Sequence, residues 1–127
     1  MYKRKAQVVF LDRNGQAAAT AARLANELGA DWLEARAAAL EPQTAETGST
    51  AALGEPDKQW ADLIVHFDAA TGEAARPLPA TTRLKLWPLE ADPDTPGDAL
   101  TEELRRRVRG MIGGMCMLSR LSPDDDD

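Results

Sequence analysis

Apolar runs alternate with amphipathic and polar stretches along this chain. Residues 6–11 hold Val8, Val9, Phe10 and Leu11 without a polar interruption. Such a run suits a central parallel strand buried on both faces. Residues 16–28 carry a helical period, with Ala21, Leu24, Ala25 and Leu28 on one face and Gly29 at the C-cap position. Residues 31–38 predict a second strand built largely of alanine. Residues 41–55, with Pro42, Gly48 and Gly54, read as a loop with room for one short helix. WADLIVHF at 60–67 predicts a third strand, and 68–81, with two prolines, a loop. At 82–87, Leu84 and Leu86 alternate with Arg83 and Lys85, which predicts a fourth strand. PLEADPDTPG at 88–97 is turn chemistry. Residues 98–121 predict a long helix capped by Asp98, with Leu100, Leu104, Val108, Met111, Ile112, Met115 and Leu118 as its apolar stripe.

Strands that alternate with helices predict an α/β fold of three layers, a parallel sheet with helices on both faces. Right-handed crossovers place the loop at 12–17 at the carboxyl edge of the sheet, where ligands bind in such folds. Helix amides that begin near Gln16 would point into that crevice. The side chains of Arg13, Asn14 and Gln16 and the backbone of Gly15 would line it. One domain over 1–121 accounts for the pattern, and the acidic 122–127 (SPDDDD) reads as a disordered, solvated tail.

Composition narrows the function. A chain of 127 residues can bury one sizeable core. A net charge of −6 repels nucleic acid and anionic membrane, so neither is an expected partner. No run is long enough to span a membrane. The basic residues 1–5 are followed by too few apolar ones for a signal-peptide core, which makes the cytoplasm the expected compartment. One cysteine, Cys116, excludes an internal disulfide. One histidine, His66, leaves no histidine-based metal site. No cofactor is expected.

Four segments in order carry a resemblance: VVFL before the first loop, the helix directly after it, WADLIVHFD at 60–68, and LKLWPLEADPD at 84–94 ahead of a terminal helix. In them the chain resembles the low-molecular-weight protein tyrosine phosphatases and the arsenate reductases that share their fold. The resemblance covers most of the length. With the strand–helix alternation, it implies a four-stranded parallel sheet in the order 2-1-3-4. It also implies that Asp92, followed by Pro93, stands where the family has its general acid. The same DPDTPG stretch is good turn chemistry without that role.

The family's nucleophile motif is missing. A cysteine is expected at the strand end, an arginine six residues later and a hydroxyl residue next. Those positions hold Asp12, Ala18 and Ala19. The loop asparagine expected by the family falls at Gly15. A thiolate attacks phosphorus because it is strongly nucleophilic at reachable pH, and an arginine grips phosphoryl oxygens bidentately. An ionised Asp12 beside a phosphoryl group at about 4 Å adds repulsion on the order of 4 kcal/mol per unit charge at an effective dielectric of 20. Cys116 falls on or beside the stripe of the last helix, where a buried structural thiol is expected.

FLDRNG also looks like the first motif of the haloacid dehalogenase superfamily, a strand followed by D-x-D-G. There Asp12 would be the nucleophile in a magnesium-dependent reaction. Asn14 stands in place of the second acid, and no later carboxylate pair is evident for the metal. The expected function is therefore a catalytically inactive phosphatase-like domain that binds, scaffolds or regulates. The alternative is a metal-dependent phosphate-handling enzyme.

Three further features have two readings each. His66 is a packed side chain or one at the edge of the site. Arg13, Arg83 and Lys85 solvate a surface or attract an anion. Gly110 and Gly114, four apart in a helix, each cost roughly 1 kcal/mol there. Either the last helix approaches its own sheet at these glycines, or Gly110, Met111, Gly114 and Met115 form a surface for a second copy or another protein.

Overall fold

The computed structural model describes residues 5–13, 15–40, 53–89 and 97–121, with side chains through Gly114. Residues 1–4, Asn14, Asp92 and Pro93, most of the 41–55 loop, the tail at 122–127 and the side chains of Met115, Cys116, Met117 and Leu118 lie outside the described residues. The elements are β1 (Ala6–Asp12), α1 (Gln16–Leu28), β2 (Leu33–Ala39), α2 (Glu55–Trp60), β3 (Leu63–His66), α3 (Ala69–Ala75), β4 (Arg83–Leu86) and α4 (Asp98–Leu121). All strand pairs are parallel and the order is β2-β1-β3-β4. The α/β sheet order 2-1-3-4 expected from the sequence is the one observed.

β1 is central, and its Val8, Val9, Phe10 and Leu11 are wholly buried. Strand alternation sends these side chains to two cores. Val8 and Phe10 meet Val65, Phe67 and Trp87 under α1 and α4. Val9 and Leu11 meet Ala38, Ile64 and Ala75 on the other face. Phe10 and Phe67 both tilt against Trp87, with ring centroids 5.7 and 6.5 Å apart. α1 buries Ala17, Ala18, Ala21, Ala22, Leu24 and Ala25. That small-residue face lets α1 sit close to both the sheet and α4. Leu28, expected on the same face, is 39% exposed.

The alanine-rich β2 is an edge strand finished by a side chain. Asn26 of α1 accepts from the Ala35 amide at 2.9 Å and donates to the Ala35 carbonyl at 3.0 Å. One carboxamide thus satisfies both outward backbone groups of Ala35, as a neighbouring strand would.

Three expectations are corrected. Trp60 ends a helix and does not begin a strand: Pro56 lies in the first turn of α2, and the Gly54 amide donates to Asp57 Oδ2 at 3.0 Å. Asp62 then joins β1, accepting the Gln7 amide at its carboxylate (2.9 Å) and donating its own amide to the Gln7 carbonyl (2.7 Å). The 68–81 loop contains α3. Asp68 caps it, accepting from the Thr71 amide (2.7 Å) and hydroxyl (2.8 Å). Leu86 does not point into a core; it is 43% exposed on the outer strand.

The glycines divide by cause. Gly29 ends α1 at φ −130°, so no left-handed cap requires it. A Cβ there would stand 2.6 Å from Ile112 Cδ1, so the approach of α4 selects glycine. A Cβ on Gly72 would meet the His66 ring at 2.4 Å. Among the described residues, by contrast, nothing lies within 4 Å of a Cβ on Gly110 or Gly114, so no close approach of the sheet is found there.

These surroundings predict opposite signs for one substitution. Gly72→Ala drives a methyl into a ring already hydrogen-bonded in place and destabilises by about 1–3 kcal/mol. Gly110→Ala meets nothing and stabilises by roughly 0.5–1 kcal/mol through helix propensity. Urea denaturation of the two variants measures both, and a neutral Gly72→Ala contradicts the packing described.

Candidate functional site

The site is built where β1 gives way to α1. β1 ends at Asp12, whose carbonyl accepts the Leu40 amide at 3.1 Å from the end of β2. The chain turns at Gly15, with φ 87° and ψ −2°, and α1 begins at Gln16. Only glycine enters this left-handed region freely, and asparagine is next in tolerance. The asparagine that the phosphatase resemblance expects at this position is thus replaced by the other residue suited to the same backbone.

A helix begins with amides that have no partner inside the helix. Gly15, the N-cap, has no side chain to offer them. Asp12 takes the role from three residues further back. Its Oδ2 accepts from the Ala17 amide at 3.1 Å and its Oδ1 from the Arg13 amide at 2.7 Å. The carboxylate is 3% exposed. It lies within the loop, on amides that would otherwise face an incoming anion, and it adds a negative charge at the positive end of the α1 dipole. Charge-assisted bonds of this kind contribute about 1.5–3 kcal/mol each.

The other loop residues follow from this geometry. Ala17 and Ala18 are wholly buried, and Ala18 packs in the core beneath α1. Ala19 and Gln16 face outward, Gly15 is buried, and the Arg13 side chain is exposed at the mouth of the loop. Among the described residues the arrangement brings together the Asp12 carboxylate, the two amides bonded to it and the exposed Arg13 side chain.

His66, Arg83 and Lys85 do not converge here. His66 pairs in register with Leu11, so its side chain is on the α2–α3 face, whereas Asp12 shares the α1 face with Val8 and Phe10. Its ring is 6% exposed beneath Gly72, with Nδ1 2.8 Å from the Asp68 carbonyl. Arg83 and Lys85 pair with Leu63 and Val65 and lie on the outer strand, two strands away from Asp12. Among the described residues, no three carboxylate, imidazole or thiol groups come together as a metal site.

A second anchor near the carboxyl edge escaped the sequence reading. Glu103 is buried on α4 and pairs with Arg107 at 3.2 Å, and Arg107 also donates to the Pro88 carbonyl. The segment that leaves β4 towards Asp92 is thereby fastened to α4. The spacing of four between Glu103 and Arg107 was visible as a helical ion pair. Its tie to Pro88 depends on tertiary packing.

No protein-family model matches the sequence, and no curated protein matches it. Solved structures do match. The chain is similar to the thioredoxin-dependent arsenate reductase of Corynebacterium glutamicum, with a TM-score of 0.72 and 16% identity, over 92% of this chain but 65% of the reductase. It thus spans just under two thirds of that protein. It is also similar to the YwlE arginine phosphatase of Geobacillus stearothermophilus, with a TM-score of 0.68 and 12% identity, over 90% of this chain and 95% of the phosphatase. A third match is a low-molecular-weight protein tyrosine phosphatase from Streptococcus pyogenes, with a TM-score of 0.54 and 14% identity, over 92% and 93% of the two chains. The chain has the α/β fold shared by these arsenate reductases and low-molecular-weight phosphatases, with Asp12 at the end of the strand that leads into the site loop.

Proposed function

We propose that this protein is a catalytically inactive relative of the low-molecular-weight phosphatases that acts in the cytoplasm as a binding, scaffolding or regulatory domain. The observation that carries this reading is the Asp12 carboxylate bonded to the amides of Arg13 and Ala17. It supplies an internal anion where a phosphoryl group would have to bind. Asp12, Ala18 and Ala19 at the expected cysteine, arginine and hydroxyl positions remove the sulfur nucleophile and the guanidinium grip. The alternative, Asp12 as a metal-assisted nucleophile, requires a carboxylate oxygen to leave its amide partner and reach phosphorus.

An aryl-phosphate hydrolysis assay, with and without magnesium, tests the reading. Neither condition is expected to give turnover above an Asp12→Ala control, and arsenate is not reduced. The control remains folded but loses about 2 kcal/mol of stability with the cap. Metal-independent turnover abolished by Asp12→Ala overturns the proposal, and turnover only with magnesium establishes the alternative.

The partner surface in this reading is the last helix at Gly110, Met111, Gly114 and Met115. Its support is that no described residue packs against either glycine, and that methionines adapt readily to a partner. Light scattering at micromolar concentration is expected to show a dimer that Gly114→Leu disrupts. A monomer that is unchanged by Gly114→Leu removes the second copy as the occupant.

A further inference from the structure

The two edges of the sheet are treated differently. On β2, Ala35 is closed by Asn26, the Leu33 amide donates to the Gly29 carbonyl, and the Ala39 carbonyl accepts from the Leu53 amide. On β4, the Arg83 and Trp87 amides donate to the Asp62 and His66 carbonyls of the β3 side. Odd-numbered residues therefore face β3, and the N–H and C=O groups of Leu84 and Leu86 point away from the sheet. Among the described residues, nothing bonds to these four groups.

The side chains on this open edge alternate. Arg83 and Lys85 are exposed on the α1–α4 side and have no ion-pair partner among the described residues. Leu84 packs partly into the opposite core, and Leu86 beside it is 43% exposed. An open groove of about 490 Å³ adjoins the amino end of the strand and is lined by Arg76, Leu78, Pro79, Thr82, Arg83 and Leu84. This cationic edge stands out on a chain of net charge −6.

We infer that the β4 edge accepts an extended peptide in which acidic and apolar residues alternate, added as a fifth strand. The four free backbone groups supply the hydrogen bonds of strand addition. The alternation supplies the selection: acidic side chains lie across from Arg83 and Lys85, and apolar ones cover Leu86 on the other face. A second copy's β4 is a poor occupant, because it sets arginine and lysine against their like, the device by which charged edges resist self-pairing. The partner is thus a different, acidic segment. This site lies two strands from Asp12 and does not depend on whether the loop there is active.

The test is fluorescence anisotropy with a labelled eight-residue peptide of alternating glutamate and valine, titrated with the full chain. Three comparisons accompany it: a lysine–valine peptide, the glutamate–valine peptide N-methylated along its pairing edge, and the Lys85→Glu protein. The acidic peptide is expected to bind, with affinity falling as salt rises. Both other peptides and Lys85→Glu should lose about tenfold or more. Hydrogen exchange at the Leu84 and Leu86 amides should slow on binding, and thermal unfolding should show Lys85→Glu folded like the parent. Equal binding of the lysine peptide, indifference to N-methylation, or no binding of the acidic peptide up to about 1 mM, an affinity of roughly 4 kcal/mol, overturns the inference.

Discussion

The bonds from the Arg13 and Ala17 amides to the Asp12 carboxylate are the interaction on which the site depends. A strand that runs directly into a helix at the carboxyl edge of a parallel sheet leaves amides facing the crevice, and those amides require an acceptor. A bound anion is one solution. This chain carries its own. Asp12 is held by β1, the most buried strand of the sheet, and Gly15 bends the loop back so that the amide at the second helical position reaches the carboxylate. The Asp12 carboxylate thus ties the end of β1 to the first turn of α1.

The alanines after the loop belong to the same solution. An arginine at position 18 would carry a long cation at the base of α1. Ala18 instead joins Ala17, Ala21, Ala22 and Ala25 in a face small enough to lie close to the sheet and to α4. Ile112 of α4 then fills the space at Gly29. The small residues that follow the loop thus give α1 its close packing. The pair of buried Glu103 and half-buried Arg107 performs a related task nearby, fastening the chain beyond β4 through the Pro88 carbonyl.

The long periodic signals were legible before any coordinates: the apolar run of β1, the span of α1 over Gln16–Leu28 and that of α4 over Asp98–Leu121. So was the strand order, through the order of the resembling segments. The misreadings have physical causes. Trp60 looks like the first residue of an apolar strand, but Pro56 and Asp57 had already set a helix whose last residue it is. Gly72 and the nearby prolines conceal α3, because this glycine is present to admit the His66 ring and not to break the helix. Leu86 fits a strand alternation and yet stays exposed, since an edge strand has only partial cover. At the site, the sequence put Asp12 at the strand end before the loop, but its capping role was not legible. It precedes the N-cap by three residues, outside the usual capping spacing, and only the left-handed turn at Gly15 brings it into reach.

The most direct measurement is a phosphate titration followed through backbone amide resonances in the parent protein and in Asp12→Ala. If the carboxylate fills the anion site, phosphate leaves the Arg13 and Ala17 amides of the parent unmoved up to about 10 mM, beyond an affinity of roughly 3 kcal/mol. The same amides should shift in Asp12→Ala, once the internal charge is gone. Saturable shifts of these two amides in the parent, at the same phosphate concentrations as in Asp12→Ala, would contradict the account.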